Sequence, residues 1–476
     1  MTVQKSPPQA VPVRILPISY RDPAAVFEAF AGDPVAALLQ SCAGDGPRGR
    51  YSYIAALPFR VIVADAFGVR VDGAPVAGDP FTVLDRELSA HPPPEGACPV
   101  PFRTGAVGFL SYELGRHLER VPLAAPSPFA VPELVMGLYD TLIAFDHQEQ
   151  TAYIISSGIP EQSPAARRDR AAARAQEMLD RLATVPDHPP PLDWSARSPW
   201  QAERARAEVE ASISRVIAYI HAGDIFQANL TQQLRALRPP GLTDLQLYAR
   251  LRALSPAPFA ALLACGPDLA VISASPERFL QLSNTGAVET RPIKGTRARS
   301  KDAVEDAALA ASLLASPKDR AENLMIVDLM RNDLGRVSDL GSVTVPKLNG
   351  LETFASVHHL VSVVTSQLRA GLGPVDLLRA CFPGGSITGA PKIRAMEIIR
   401  ELEPSPRGAY CGAIAWIGFD GAMDSSIVIR TITRVRDTLL TQAGGGIVAD
   451  SDPQEEYEES LVKLAPMLRA VAGPAA

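Results

Sequence analysis

Cysteine is scarce in this chain, long apolar runs are missing, and neither sign of charge dominates. The five cysteines, Cys42, Cys98, Cys265, Cys381 and Cys411, are dispersed, odd in number and without a CxxC pair. That argues against a disulfide framework and a zinc ribbon and fits a reducing compartment. No stretch reaches the ~18 consecutive apolar residues of a membrane helix, and MTVQKSPPQA lacks an apolar core of signal-peptide length. A soluble, cytoplasmic protein with no membrane partner is the expectation. The 46 basic and 52 acidic residues leave a net charge of −6, so no global basic surface recommends nucleic acid. No repeat with a period of about 20–50 residues signals a solenoid. What is abundant is apolar: 47% of 476 residues are hydrophobic and 21% charged. Such a chain can bury a sizeable core and is too long for one small domain.

Residues 1 to about 158 read as β-rich. RVIVADAFGVRVD alternates around a Phe-Gly turn, GAVGFLSYEL is glycine-bounded, and MGLYDTLIAFDHQEQTAYIIS looks like two strands joined at His147 to Gln150. Ser163-Pro164 then offers a helix cap and first-turn proline for a segment reaching about Val185, and PDHPPPLDWSARSPW connects onward. A boundary follows: residues 1–190 are expected to form an N-terminal β-rich domain with a linker helix, and 191–476 a second domain. In the latter, Val209, Ile213, Val216, Ile217 and Ile220 keep helical spacing until Gly223. Ser316 and Pro317 open another helix, CGAIAWIGFDGAMDSSIVIRTITRVRDTLLTQAGGGIV reads as a strand meander, and a terminal helix opens at Asp452-Pro453.

Among motifs, GGSITGAPK has P-loop glycine spacing at Gly384 and Gly389, but Ala390-Pro391 stand where Lys and Ser/Thr are needed. What survives is a glycine turn before a proline-started helix, with free N–H groups for an anion, or an ordinary loop. The triplet Gly444, Gly445 and Gly446 marks a turn or bulge, or a close approach of backbone to a ligand. Asp319 and Glu322 share one helix face, as do Glu456, Glu459 and Lys463 on the last helix. Either set alone suits a solvated first turn; together they could each offer a carboxylate to Mg2+. His358-His359 lies in an apolar run, where histidine is usually a satisfied core group. Arg430, within the alternating strand IVIRTITRV, pairs with an acid or binds an anion. Lys294, in ETRPIKGTRAR, has Arg291, Arg297 and Arg299 close in sequence. As a loop lysine it reaches solvent; in an enclosed site those guanidinium groups would disfavour its ammonium form and yield a nucleophilic amine.

In this order, GDIFQANLTQQ, SPERF, RPIKGTR, AENLMIVDLMRNDLGRV, FASVHHLVS, FPGGSITGAPK, RGAYCGAIAWIG, IVIRT and GGGIVADSDPQEEYEESLVK resemble the chorismate-utilising enzyme family, which contains component I of anthranilate synthase and of aminodeoxychorismate synthase. The resemblance covers about residues 200 to 470, and less sharply LLQS, GRYSYIAALP and GAVGFLSYEL upstream. It implies an α+β, two-lobed fold with large antiparallel sheets packed as a sandwich and flanked by helices. It implies Mg2+ held by Glu322 and Glu459, with Asp319 and Glu456 in support. Tyr410, Arg430, Lys463 and the Gly444, Gly445 and Gly446 backbone would bind the substrate's carboxylates. Thr296, His359 and Ser386 are further substrate-binding positions, Ser386 where relatives often have threonine. Glu277 of SPERF would be the general acid. Leu39 and Ser41 of LLQS, with Pro256 and Phe259 of SPAPF, resemble the region that holds tryptophan in relatives, an effector pocket or a packed core.

Anthranilate synthases commonly read PIAGT where this chain reads PIKGT, and isochorismate and salicylate synthases usually place a water-activating lysine where it has Gln227. The combination implies amination of chorismate at C4 through a covalent bond to Lys294. Ammonia would come from a glutamine amidotransferase subunit, since no glutaminase nucleophile segment is present and Cys381 and Cys411 read as packed residues. The alternatives are an anthranilate or 2-amino-2-deoxyisochorismate synthase in which Lys294 is incidental, and a non-catalytic chorismate-binding regulatory paralogue.

Overall fold

Strands such as VAALLQ (Val35–Gln40) and AIAWIG (Ala413–Gly418) are apolar at nearly every position because both of their faces are covered. In the first, Ala36 and Leu38 pack under helices while Ala37 faces the other sheet; in the second, Ala413, Ala415 and Ile417 face helices while Ile414 and Trp416 face inward. The computed structural model describes residues 12–42, 49–122, 126–183, 185, 192–354 and 357–473. Within these, two 12-stranded sheets stack face to face, paired antiparallel, with helices on both outer faces. This is the two-sheet α+β sandwich expected from the sequence.

Both sheets run continuously through the N-terminal and C-terminal portions of the chain. In one, Val35–Gln40 pairs with Phe259–Cys265; in the other, Gly105–Leu110 pairs with Ala413–Gly418. The proline-rich residues 186–191 lie outside the described residues, as do residues 1–11 and 355–356.

Local signals placed most elements. Ser163 caps Pro164–Leu182 by accepting from Ala166 N, Ser316 caps Pro317–Gly335 through Asp319 N, and Asp452 caps Pro453–Ala472. Three details differ. The run Met136 to Ser156 crosses three strands, Leu134–Tyr139, Thr141–Asp146 and Thr151–Ser156, because the chain breaks at Asp140 as well as at His147. Pro391 is the N-cap of Lys392–Leu402 rather than its first helical residue. The helix Ala303–Ala315, capped by Asp302, was not anticipated.

Candidate active site

Lys294 lies on the edge strand Ile293–Ala298, which pairs with Val357–Gln367 and slips register between Lys294 and Thr296. Gly295 makes that slip possible. Its φ is +78°, and a Cβ there would come 2.8 Å from Asp319 Cγ, so only glycine lets the helix start at Pro317 close on this strand. One residue on, Thr296 Oγ1 and His359 Nδ1 share a hydrogen bond of 2.9 Å. His358 points the other way, to Thr353 Oγ1 and Asp306 Oδ1, and is satisfied there.

Across from Lys294 is Glu277, 5% exposed. Burial pushes its carboxyl up to about 7, against the opposing pull of a hydrogen bond from Ser386, the Lys294 charge and the Ile293 N–H. Ser386 sits in a 3-10 turn, Gly385–Ile387, whose carbonyl at Ser386 accepts from Asn229 Nδ2 at 3.0 Å. The glycines before it are packed closely: a Cβ on Gly384 would meet Ile427 Cδ1 and one on Gly385 would meet Leu329 Cδ2, each at 2.6 Å, so either methyl would have to displace a side-chain end.

The glycine triplet is neither turn nor bulge. Thr438–Ile447 pairs with Gln227–Leu237 in unbroken register, with Gly446 opposite Asn229 and Gly444 opposite Thr231. A Cβ on Gly445 would lie 2.9 Å from Glu456 Oε2 and 3.6 Å from Lys463 Nζ, and one on Gly446 would overlap Gln227 Nε2 and lie 3.3 Å from Lys294 Nζ. Close approach is therefore the reason for GGG, and the backbone there is where the last helix, Lys294 and Gln227 converge. Gln227 is fully buried, and neither of its carboxamide atoms has a hydrogen-bond partner among the described residues.

The acidic residues gather at the starts of the two helices. Glu322 is raised by burial, pulled back by Lys294 and Lys318 and pushed further by Glu456 and Asp319. Desolvation also raises Glu459, but Lys463, with Lys318 and Lys294 beyond it, outweighs that and leaves it below the usual carboxylate range. Lys463 Nζ bridges Glu459 Oε1 at 2.7 Å and the Gly444 carbonyl at 2.8 Å. Glu456 accepts from Lys318 Nζ at 3.0 Å and Ser451 Oγ at 2.7 Å, and Asp319 faces Arg297 at 3.3 Å. Among the described residues no three His, Cys, Asp or Glu side chains are close enough to share an ion. Carboxylates that crowd one another, and have lysines drawn in among them, still fit a hard divalent cation in donor chemistry, and Mg2+ keeps several waters in place of protein ligands.

Two sequence readings are corrected here. Arg430 is not a strand residue: it lies just before Thr431–Val435 in a left-handed conformation, φ +53°. Its guanidinium, pushed down by burial against the opposing pull of Tyr410 and Glu459, has no hydrogen-bond acceptor among the described residues. Tyr410 is buried beside it, and desolvation holds its hydroxyl well above the ordinary range. Secondly, the three arginines near Lys294 in sequence do not crowd it. Arg291 pairs with Glu352, Arg297 with Asp319 and Arg299 with Asp306, while the groups that feel the Lys294 charge are Glu277, Glu322 and Glu459.

Sequence reasoning also passed over the buried pair Arg407–Glu403. Arg407 donates to both Glu403 oxygens, at 2.7 and 2.8 Å, and to the carbonyls of Ile387 and Asn229. It thereby ties the turn carrying Tyr410 to the Ser386 loop and to the strand of Gln227. Away from this site, Leu39, Ser41 and Phe259 line a cavity of about 160 Å3 together with Tyr53, Pro258 and Trp416. Pro256 is exposed and does not line it; Pro258 takes that place.

An enclosed acid facing an amine, with a free guanidinium and bare backbone beside them, marks an enzyme for a small anionic substrate. The chain belongs to the family described as chorismate binding enzyme, whose profile matches residues 43–469, and it is a chorismate-utilising enzyme. Aminodeoxychorismate synthase component 1 of Salmonella typhimurium is 43% identical over 438 residues, 90% of this chain and 92% of that protein. Anthranilate synthase component 1 of Streptomyces coelicolor is 39% identical, covering 94% and 86%. The crystal structure of anthranilate synthase component I from Streptococcus pneumoniae superposes with a TM-score of 0.77 at 33% identity, covering 90% of this chain and 93% of that one. Among the described residues no helix is long and apolar enough to cross a membrane.

Proposed function

We propose that the enzyme aminates chorismate at C4 to give 4-amino-4-deoxychorismate, the precursor of p-aminobenzoate in folate-type biosynthesis. Ammonia is delivered by a glutamine amidotransferase subunit. The observation that carries this reading is Lys294 held against Glu277, whose carboxyl burial raises to about 7, with Gln227 and not a basic residue at its side. The relatives named aminodeoxychorismate synthase component 1, a name that implies a second component, support it.

In this mechanism Lys294, as the free amine, bonds to C2 of chorismate. The two ring double bonds each move one place toward C4, and the C4 hydroxyl departs as water with the Glu277 proton. Ammonia then bonds to C4, the double bonds return, Lys294 leaves C2, and the surplus proton on the new amine restores Glu277. The enolpyruvyl group is untouched. Ser386 keeps the Glu277 carboxyl aimed at the ring. Arg430, Tyr410, Lys463 and the Gly444 to Gly446 backbone hold the substrate carboxylates, and Thr296 and His359 close the edge of the site. Glu322 and Glu459, supported by Asp319 and Glu456, would hold Mg2+, which when bound supplies the charge that neutralises and orients the ring carboxylate.

The test is product analysis with chorismate, ammonium and Mg2+, paired with intact-protein mass spectrometry without ammonia. A product that becomes p-aminobenzoate only after a lyase is added, and a substrate adduct present in wild type and missing from Lys294→Ala, are expected. Anthranilate formed without a lyase would overturn the proposal, and an adduct equal in both proteins would remove Lys294 as the nucleophile. Chorismate binding without any turnover would point instead to a regulatory paralogue.

A further inference from the structure

Lys318 stands one residue before Asp319 in the first turn of Pro317–Gly335 and reaches across to the first turn of Pro453–Ala472, where its Nζ lies 3.0 Å from Glu456 Oε1. The two partners are unequal: the lysine side chain is 48% exposed and the Glu456 side chain 4%. An ion pair between two solvated groups contributes little. Here a long, half-free side chain covers a carboxylate already taken out of water, and its charge is felt at Glu322 and Glu459 as well.

The charges of this corner balance within the chain. Lys294, Lys318 and Lys463 face Glu322, Glu456 and Glu459, while Asp319 is matched by Arg297. A divalent cation among those glutamates meets ammonium groups that already claim them. The three lysines are not equally able to yield. Lys463 is also bonded to the Gly444 carbonyl, and Lys294 lies against Gly446 and Gln227, beneath the acid Glu277. Lys318 hydrogen-bonds Glu456 alone among the described residues and has solvent beside it.

We propose that Lys318 is a displaceable counter-ion: bonded to Glu456 at the edge of the acidic corner, it opposes Mg2+ there and swings into solvent as the metal binds, so that it sets the metal affinity of the site. This rests on the Mg2+ reading above. It also gives the reason for a lysine where a helix start favours acids.

The experiment is calorimetric titration of Mg2+ into the full chain without chorismate, for wild type, Lys318→Met, Lys318→Arg and Glu322→Gln, with thermal melting to verify folding. Removing one positive charge beside a dication at a partly exposed site should tighten Mg2+ binding roughly three- to tenfold in Lys318→Met. Lys318→Arg, which keeps the charge, should stay near wild type. Acetylation of Lys318, followed by peptide mass spectrometry, should rise when Mg2+ is added to wild type. Binding in Lys318→Met equal to or weaker than wild type, with Lys318 acetylation unmoved by Mg2+, overturns the competition while leaving the metal reading intact if Glu322→Gln still abolishes the heat. No Mg2+ heat in wild type or in Lys318→Met overturns both.

Discussion

Glu277 offers the sharpest test of the chemistry, because its protonation is set by named neighbours. Its carboxyl stands at about 7 against an ordinary 4.5, so the ionised form costs about 3 kcal/mol more in the folded site than in the unfolded chain. In the proposed role of acid to the departing hydroxyl it must carry its proton, so kcat should fall as pH rises through about 7, to about a tenth of its acid-side value by pH 8. The assay is kcat at saturating chorismate and Mg2+, with free-base ammonia held constant so that its own titration does not enter. Ser386→Ala removes a hydrogen bond that favours the carboxylate, and the falling limb should move to higher pH. Glu277→Gln should lose the limb and about 10²- to 10⁴-fold in rate. Stability carries the same sign. The folded carboxyl binds its proton more tightly than the unfolded one, so its contribution is intact below about 4.5 and is lost progressively as pH rises to about 7, by up to about 3 kcal/mol. Glu277→Gln should flatten that slope in urea melts. A limb that persists in Glu277→Gln, or stays in place in Ser386→Ala, would refute the assignment of this carboxyl as the acid.

The glycine triplet predicts opposite behaviour at neighbouring positions. A methyl at Gly444 runs into the Leu230 carbonyl, which cannot move without breaking strand pairing, so Gly444→Ala should cost about 1–3 kcal/mol in urea denaturation. At Gly446 the obstacle is the end of the Gln227 side chain, so Gly446→Ala should fold with nearly unchanged stability and lose kcat, its methyl lying 3.3 Å from Lys294 Nζ. Arg407→Met leaves the buried Glu403 carboxylate without its counter-charge, with Thr231 N–H and Oγ1 still donating to it, an expected loss of about 3–5 kcal/mol, measured in the same way. For the cavity of Leu39, Ser41 and Phe259, calorimetry with tryptophan should give a binding isotherm; a flat titration removes the effector reading and leaves a packed core.

Much of the fold could be read along the chain because its signals are local. Ser163, Ser316 and Asp452 cap the helices they precede, and the alternation in RVIVADAFGVRVD becomes the hairpin Arg60–Asp65 and Gly68–Val71. Ala303–Ala315 escaped because its alanine-rich sequence has no apolar stripe to detect, Leu313 alone being buried, although Asp302 is a visible cap. Side-chain pairing outside regular helical spacing was not legible. Arg291 finds Glu352 and Arg299 finds Asp306, and Arg407 finds Glu403 four residues back across a proline-broken turn where helical spacing gives no guide. The left-handed backbone at Arg430 has no sequence mark either, since a non-glycine residue adopts it only under tertiary constraint.

Those misplaced arginines change the argument about Lys294. In the sequence its reactivity rested on cationic crowding; in the fold the three guanidinium groups are spent on Glu352, Asp319 and Asp306, and the charges that face the amine are carboxylates. Those carboxylates must be committed elsewhere before the amine can act in the role proposed above. Glu277 is committed by its own proton, held by burial near neutral pH. Glu322 and Glu459 would be committed by a divalent cation, and carboxylates that coordinate one no longer hold the ammonium. In the proposed mechanism the nucleophile and the metal ligands are thus two sides of one charge balance, and the adduct on Lys294 should form only when Mg2+ accompanies chorismate. Intact-mass spectra recorded with chorismate alone, with Mg2+ alone and with both decide it: equal adduct with and without the metal would mean that the amine is freed by something other than the glutamates around it.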